Sequence, residues 1–62
     1  MAQLTIRQWR RLKEISVVDM AKRLGISRPT YTAWERNPAQ IKLCNIDKIA
    51  NVLGISRDDI SI

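Results

Sequence analysis

An all-α fold, a compact bundle of four to five short helices, is what this 62-residue sequence predicts, and three observations predict it. Apolar residues recur at the i, i+3, i+4, i+7 spacing of one helix face, and no stretch alternates as a half-buried strand would. Helix-capping residues, Thr5, Ser16, Ser27 and Ser56, stand at the starts of those stretches. The motif LGISR occurs twice, at 24–28 and at 53–57, and each copy reads as a helix ending in Leu, a Gly supplying positive φ, an Ile covering the helix ends and a Ser opening the next helix.

Taken in order, the first helix opens at Thr5 with Gln8 as capping-box partner and runs to about Glu14, with Ile6, Trp9 and a snorkelling Lys13 inward. The second opens at Ser16, with Asp19 at the matching third position. Val17, Met20, Ala21 and Leu24 form its apolar stripe, and Gly25 ends it. The third begins between Ser27 and Pro29, because Pro29 fits only a first turn, and either Ser27 or Arg28 can be its cap. It ends near Arg36, where Asn37 can take the left-handed conformation and Pro38 cannot continue the helix. A loop, NPAQIK, follows. The fourth covers roughly Leu43 to Leu53 with Ile46, Ile49, Ala50 and Leu53 inward, and a last turn from Ser56, with Asp59 as capping partner, buries Ile60. The whole chain, 1–62, reads as one domain.

A chain this short buries only ~60% of its unfolded surface, so marginal stability is expected. Its single cysteine, Cys44, allows no intrachain disulfide, and with no His there is no metal-ligand cluster; Cys44 reads as a small apolar or surface residue in a reducing compartment. No stretch is apolar enough for a membrane span or a signal peptide, which leads us to expect a soluble, intracellular, cytoplasmic protein. Lacking His, a phosphate loop and paired carboxylates in a cleft, the sequence offers nothing to do chemistry, and no enzyme activity and no cofactor are expected. The net charge is +5, and it is uneven. Residues 1–36 hold eight Lys or Arg against three acids, whereas 37–62 hold three of each, so one end of the molecule faces an anion. Nucleic acid, an acidic membrane surface or mere solubility could each account for that.

The stretch from Val17 to Arg36 favours nucleic acid. Two helices joined by about four residues and crossing steeply need a small residue at the approach, here Ala21, a turn-permitting Gly25, and apolar fillers in the wedge, here Ile26, Tyr31 and Trp34. Those are the demands of a helix-turn-helix, at about 17–36. At about 100° per residue, Tyr31 and Trp34 fix the inner side of the third helix and leave Pro29, Thr32, Ala33 and Arg36 outside, with Arg28 on the flank. A merely solvated face would more often carry Glu, Lys and Gln. Slim side chains instead let a helix sit deep in a major groove, Thr32 and Ala33 can meet a thymine methyl, and Arg28 or Arg36 can reach guanine or phosphate. The same counting puts Glu35 and Arg10 at the inner edges of their helices, where they are expected to pair as a partly buried carboxylate and guanidinium.

These residues together resemble the lambda-repressor-like helix-turn-helix family of phage repressors, Cro proteins and small bacterial regulators, from WRRLKEISVVDMAKRLGISRPTYTAWERNP through IDKIANVLGISRDDI. The resemblance implies the Arg10–Glu35 pair, base-edge contacts from Arg28, Pro29, Thr32 and Ala33, and phosphate contacts from Arg36, Lys42 and the backbone at Val17, the start of the second helix. The chain departs from the family pattern in having Val17 where Gln is frequent, Ile41 where a loop Pro is common, and Asn37 in place of the Gly after the Glu.

The expected function is therefore a sequence-specific regulator of transcription that binds double-stranded DNA as a homodimer, bacterial or phage-encoded, of the Cro-like or compact-repressor kind. Dimerisation is expected because one reading helix offers few base contacts, and Arg57, Ile60 and Ile62 are candidate interface residues, though Ile60 could equally be core. Beginning at Met1 and ending just past the last helix, the chain is expected to carry no ligand-sensing domain, and no small-molecule ligand or membrane partner is expected. It could also be the DNA-binding half of a toxin-antitoxin pair, or a domain cut from a longer protein. The competing class is a protein-interaction module, such as an antitoxin-type partner-binding domain, whose basic face is merely solvated.

Overall fold

The computed structural model describes residues 3–62. Four α-helices, α1 (Ile6–Leu12), α2 (Val17–Leu24), α3 (Arg28–Arg36) and α4 (Leu43–Leu53), are joined by short turns, with 3-10 turns at Pro38–Gln40 and Arg57–Asp59. Capping explains the starts. Thr5 and Gln8 form a reciprocal capping box at α1, Ser16 accepts from the Asp19 amide at α2, and Ser27 accepts from the Thr30 amide at α3, which makes Ser27 the cap. Asp19 does not complete a box at α2: its carboxylate turns to Arg23, 3.5 Å away. At the last turn the Ser56 amide donates to the Asp59 carboxylate, and the Ser56 hydroxyl accepts from the Asp58 amide.

The helix ends hold the first surprise. Gly25 and Gly54 both adopt φ +71°, and at each the amide of the next isoleucine donates to the carbonyl five residues back, Ile26 to Ala21 and Ile55 to Ala50, the Schellman arrangement. The end of α1 is built the same way. Ile15 N–H donates to Arg10 O and Glu14 N–H to Arg11 O, each at 3.1 Å, with Glu14 at φ +58° where the other joints have Gly. The joint is thus used three times, as Glu14-Ile15-Ser16, Gly25-Ile26-Ser27 and Gly54-Ile55-Ser56, and the first copy is masked in the sequence by its glutamate. Because α1 stops at Leu12, two residues short of the expected end, Lys13 is exposed and is not part of the inward stripe. Asn37 also departs from expectation. It sits at φ −139°, not in the left-handed region, because the proline that follows it drives the preceding residue toward extended angles.

Ile6, Met20, Ala21, Tyr31, Ile41, Ile46, Ile49, Ala50, Leu53 and Ile60 form the core, with Trp9, Ile15, Val17, Leu24, Ile26, Trp34, Val52 and Ile55 packed around it. α2 lies against both α3 and α4, and α1 against α4. The two ends of the described chain are stitched together, which no local pattern announces. Leu4 and Ile60 form an isolated parallel bridge, with Leu4 N–H donating to Asp59 O at 3.2 Å and Ser61 N–H to Leu4 O at 2.8 Å. Trp9 Nε1 donates to the same Asp59 carbonyl, and Gln3 Nε2 to Asp58 O, both at 2.8 Å. Of the two places the sequence left open for Ile60, the structure shows the core: its side chain is 5% exposed.

Candidate nucleic-acid interface

Tyr31 fixes how α3 sits. Its side chain is fully buried and Trp34, one turn on, is half-buried against the core, so the opposite side of the helix faces outward. On that side Arg28, Pro29, Ala33 and Arg36 are exposed and Thr32 is half-buried. The ridge is narrow, with a cation at each end.

A second constraint comes from α1. Arg10 Nε donates to Glu35 Oε2 at 2.6 Å, Arg10 Nη2 lies 3.5 Å from Glu35 Oε1, and Arg10 Nη1 donates to the Ile15 carbonyl at 2.9 Å. The two side chains are only 12% and 10% exposed. One guanidinium therefore ties α1, the first joint and α3 into a fixed relation, and its hydrogen bond to Glu35 raises its pKa further above the ordinary value, outweighing burial. Arg10 remains a cation at any accessible pH. Beside this pair, burial pushes the Tyr31 hydroxyl well above the usual tyrosine range, reinforced by the Glu35 carboxylate. That hydroxyl is enclosed with no hydrogen bond of good geometry, although both partners of the ion pair are its neighbours.

Between α1, the start of α2 and α3 lies a depression of about 360 Å³ lined by Arg7, Arg10, Arg11, Val17, Thr32, Glu35 and Arg36. It brings together Val17, Thr32 and Arg36 with the ion pair. Arg28, Pro29 and Ala33 lie outside it along α3, and Lys42 stands beyond the 3-10 turn at the exposed start of α4, a helix that opens without a side-chain cap. Arg7 and Arg11 were not singled out from the sequence. The signal was there, since Ile6 and Trp9 facing inward leaves positions 7 and 11, one turn apart, on the outer side of α1. At the far end, Arg57 is engaged with Asp47 at 3.3 Å and Ile62 is 66% exposed. Cys44 is exposed. Among the described residues, no metal-ligating group of three or more side chains gathers, and no helix is long and apolar enough to cross a membrane.

A helix-turn-helix family model matches residues 6–60, nearly all of the bundle just described. The chain belongs to the helix-turn-helix family. It is of the lambda-repressor-like kind that its residues resemble. Over 53 residues this helix-turn-helix chain is 34% identical to an uncharacterized HTH-type transcriptional regulator, YqaE, of Bacillus subtilis (strain 168), an alignment covering 86% of this chain and 46% of that protein. The chain thus spans about half the length of the curated relative it matches. Among solved structures it is similar to SinR, described as the master regulator for biofilm formation, in a crystal structure of its complex with DNA. There the TM-score is 0.75 and the identity 26%, over 86% of each chain.

Proposed function

We propose that this protein is a DNA-binding transcriptional regulator that inserts α3 into the major groove of double-stranded DNA and reads it through Arg28, Pro29, Thr32 and Ala33. Arg36, Lys42 and the backbone amide of Val17 hold phosphates. The single observation that carries the reading is the seating of α3. With Tyr31 fully buried and Trp34 packed behind it, a ridge of small side chains between Arg28 and Arg36 is left free, and such a ridge fits a groove about 12 Å wide. Similarity to a protein solved on DNA and to a transcriptional regulator supports the same conclusion.

It works in the cytoplasm of a bacterium or of a phage host, as a homodimer on paired half-sites, repressing by occupying an operator. Two reading helices about one DNA turn apart multiply the few contacts that one can make. With Ile60 in the core, the part of the C-terminal end still available to a second copy is Ile62 with the exposed side of Arg57. Selection of bound duplexes from a random pool tests the whole reading. A recovered half-site repeated at fixed spacing is the expected result, and recovery of no shared sequence would overturn it.

A further inference from the structure

Three of the arginines around the α1/α2/α3 depression have no carboxylate to answer them. Arg7, Arg11 and Arg36 take part in none of the ion pairs among the described residues, whereas Arg10 and Glu35, the other two charged side chains of the lining, neutralise each other at 2.6 Å. The concavity therefore carries a charge of +3, four cations less one anion, with Val17 and Thr32 completing the lining. Like charges that line one hollow repel, and an anion in their midst relieves the repulsion. A flat basic surface would let its side chains swing apart into water, but here two of them rise from one face of α1 and the third from α3, so the anion they suit lies between the two helices.

We propose that Arg7 and Arg11 grip the DNA backbone, so that α1 supplies a phosphate site in the depression next to Thr32 and Arg36. This rests on the DNA-binding reading and adds to it a contact from an element outside the helix-turn-helix. The ion pair takes a second role in consequence. Glu35 lines the same depression, and only its capture by Arg10 keeps a carboxylate from repelling the phosphate. The ligand is a phosphodiester of the duplex, and because a phosphate is the same in every sequence, the site fixes where the protein sits without choosing the operator.

The test measures duplex affinity against salt concentration for the unaltered protein, for Arg7→Gln/Arg11→Gln and for Lys48→Gln, whose charge lies on α4 outside the depression. Each phosphate contact contributes about 0.9 to the slope of log affinity on log salt. Loss of two should lower that slope by about 1.8, so that raising salt fourfold weakens the double variant about 12-fold less than the unaltered protein. Selected and random duplexes should weaken by the same factor, and the melting temperature should hold, since both side chains are exposed. A slope change no larger than that of Lys48→Gln would overturn the assignment while leaving DNA binding intact. A loss confined to the selected duplex would also overturn it, by making these arginines base readers. Absence of any salt-dependent duplex binding by the unaltered protein would sink both this site and the reading beneath it.

Discussion

Replacing Arg10 by alanine probes the contact on which the placement of α3 depends. The substitution removes two hydrogen bonds to Glu35 and one to the Ile15 carbonyl and leaves a carboxylate that is 10% exposed without its cation. Breaking a buried pair by deleting one partner costs about 3–5 kcal/mol. We take about 3 kcal/mol, the lower end of that range, because both side chains keep some access to water. With an unfolding entropy of about 2.1 cal/mol/K per residue over 62 residues, that loss lowers Tm by roughly 20 °C. A domain of this size has only about 3–9 kcal/mol in total, so Arg10→Ala should sit at the edge of folding. The assay is thermal unfolding followed by far-ultraviolet circular dichroism on Arg10→Ala, Glu35→Ala and the double variant. The double should be less damaged than the sum of the singles, since it strands no charge. Glu35→Gln, which keeps shape and an acceptor, isolates the part due to charge. If Arg10→Ala lowered Tm by only a few degrees, the pair would be worth no more than an exposed one, under about 1 kcal/mol, and the locking of α1 to α3 would be wrong.

Four further outcomes are expected. Tyr31 favours its protonated form when folded because burial disfavours the phenolate. Above pH 10, the ordinary tyrosine value, the unfolded chain releases the proton and the folded one keeps it, so stability intact below that pH falls as pH rises, by about 1.4 kcal/mol per pH unit. Alkaline denaturation of the unaltered protein and of Tyr31→Phe should differ by that slope, and equal slopes would refute it. Glu14→Gly should raise Tm by a few degrees, since the left-handed angle costs a side chain roughly 1–2 kcal/mol and glycine's extra freedom when unfolded returns part of it. Gly25→Ala and Gly54→Ala should each lose about 1 kcal/mol for the reverse reason, with no clash added because open space surrounds both positions. Finally, selection on a random duplex pool should yield altered sites for Arg28→Ala and Thr32→Ala, whereas Arg36→Ala and Lys42→Ala should weaken all duplexes alike; a uniform loss in all four would remove the base-reading assignment.

What the sequence revealed was what one helix can reveal about itself. Thr5, Ser16, Ser27 and Ser56 cap by bonds spanning two or three residues, and counting at 3.6 residues per turn was enough to turn Tyr31 inward and Thr32 out. The Arg10–Glu35 contact was legible for the same reason, since each residue lies at the edge of its own apolar stripe. The rest needed the third dimension. Glu14 hides a joint because its left-handed φ belongs to the bonds that close α1, Glu14 N–H to Arg11 O and Ile15 N–H to Arg10 O, and not to a preference of glutamate. Nothing near Leu4 signals Ile60, and Lys13 lost its inward place once α1 ended early. Arg7 and Arg11 read as ordinary surface charge until α2 and α3 close one side of a hollow around them.

The bridge between Leu4 and Ile60, with the bonds from Gln3 and Trp9 to the carbonyls of Asp58 and Asp59, makes folding wait for synthesis. α1 is translated early, yet its indole and the Leu4 backbone ahead of it find their partners only once residues 59–61 have been made. Bonds that span 50 and 55 residues of chain pay their loop-closure entropy before they return anything, so α1 is tied to the C-terminal turn late in folding, after the helices between them can form.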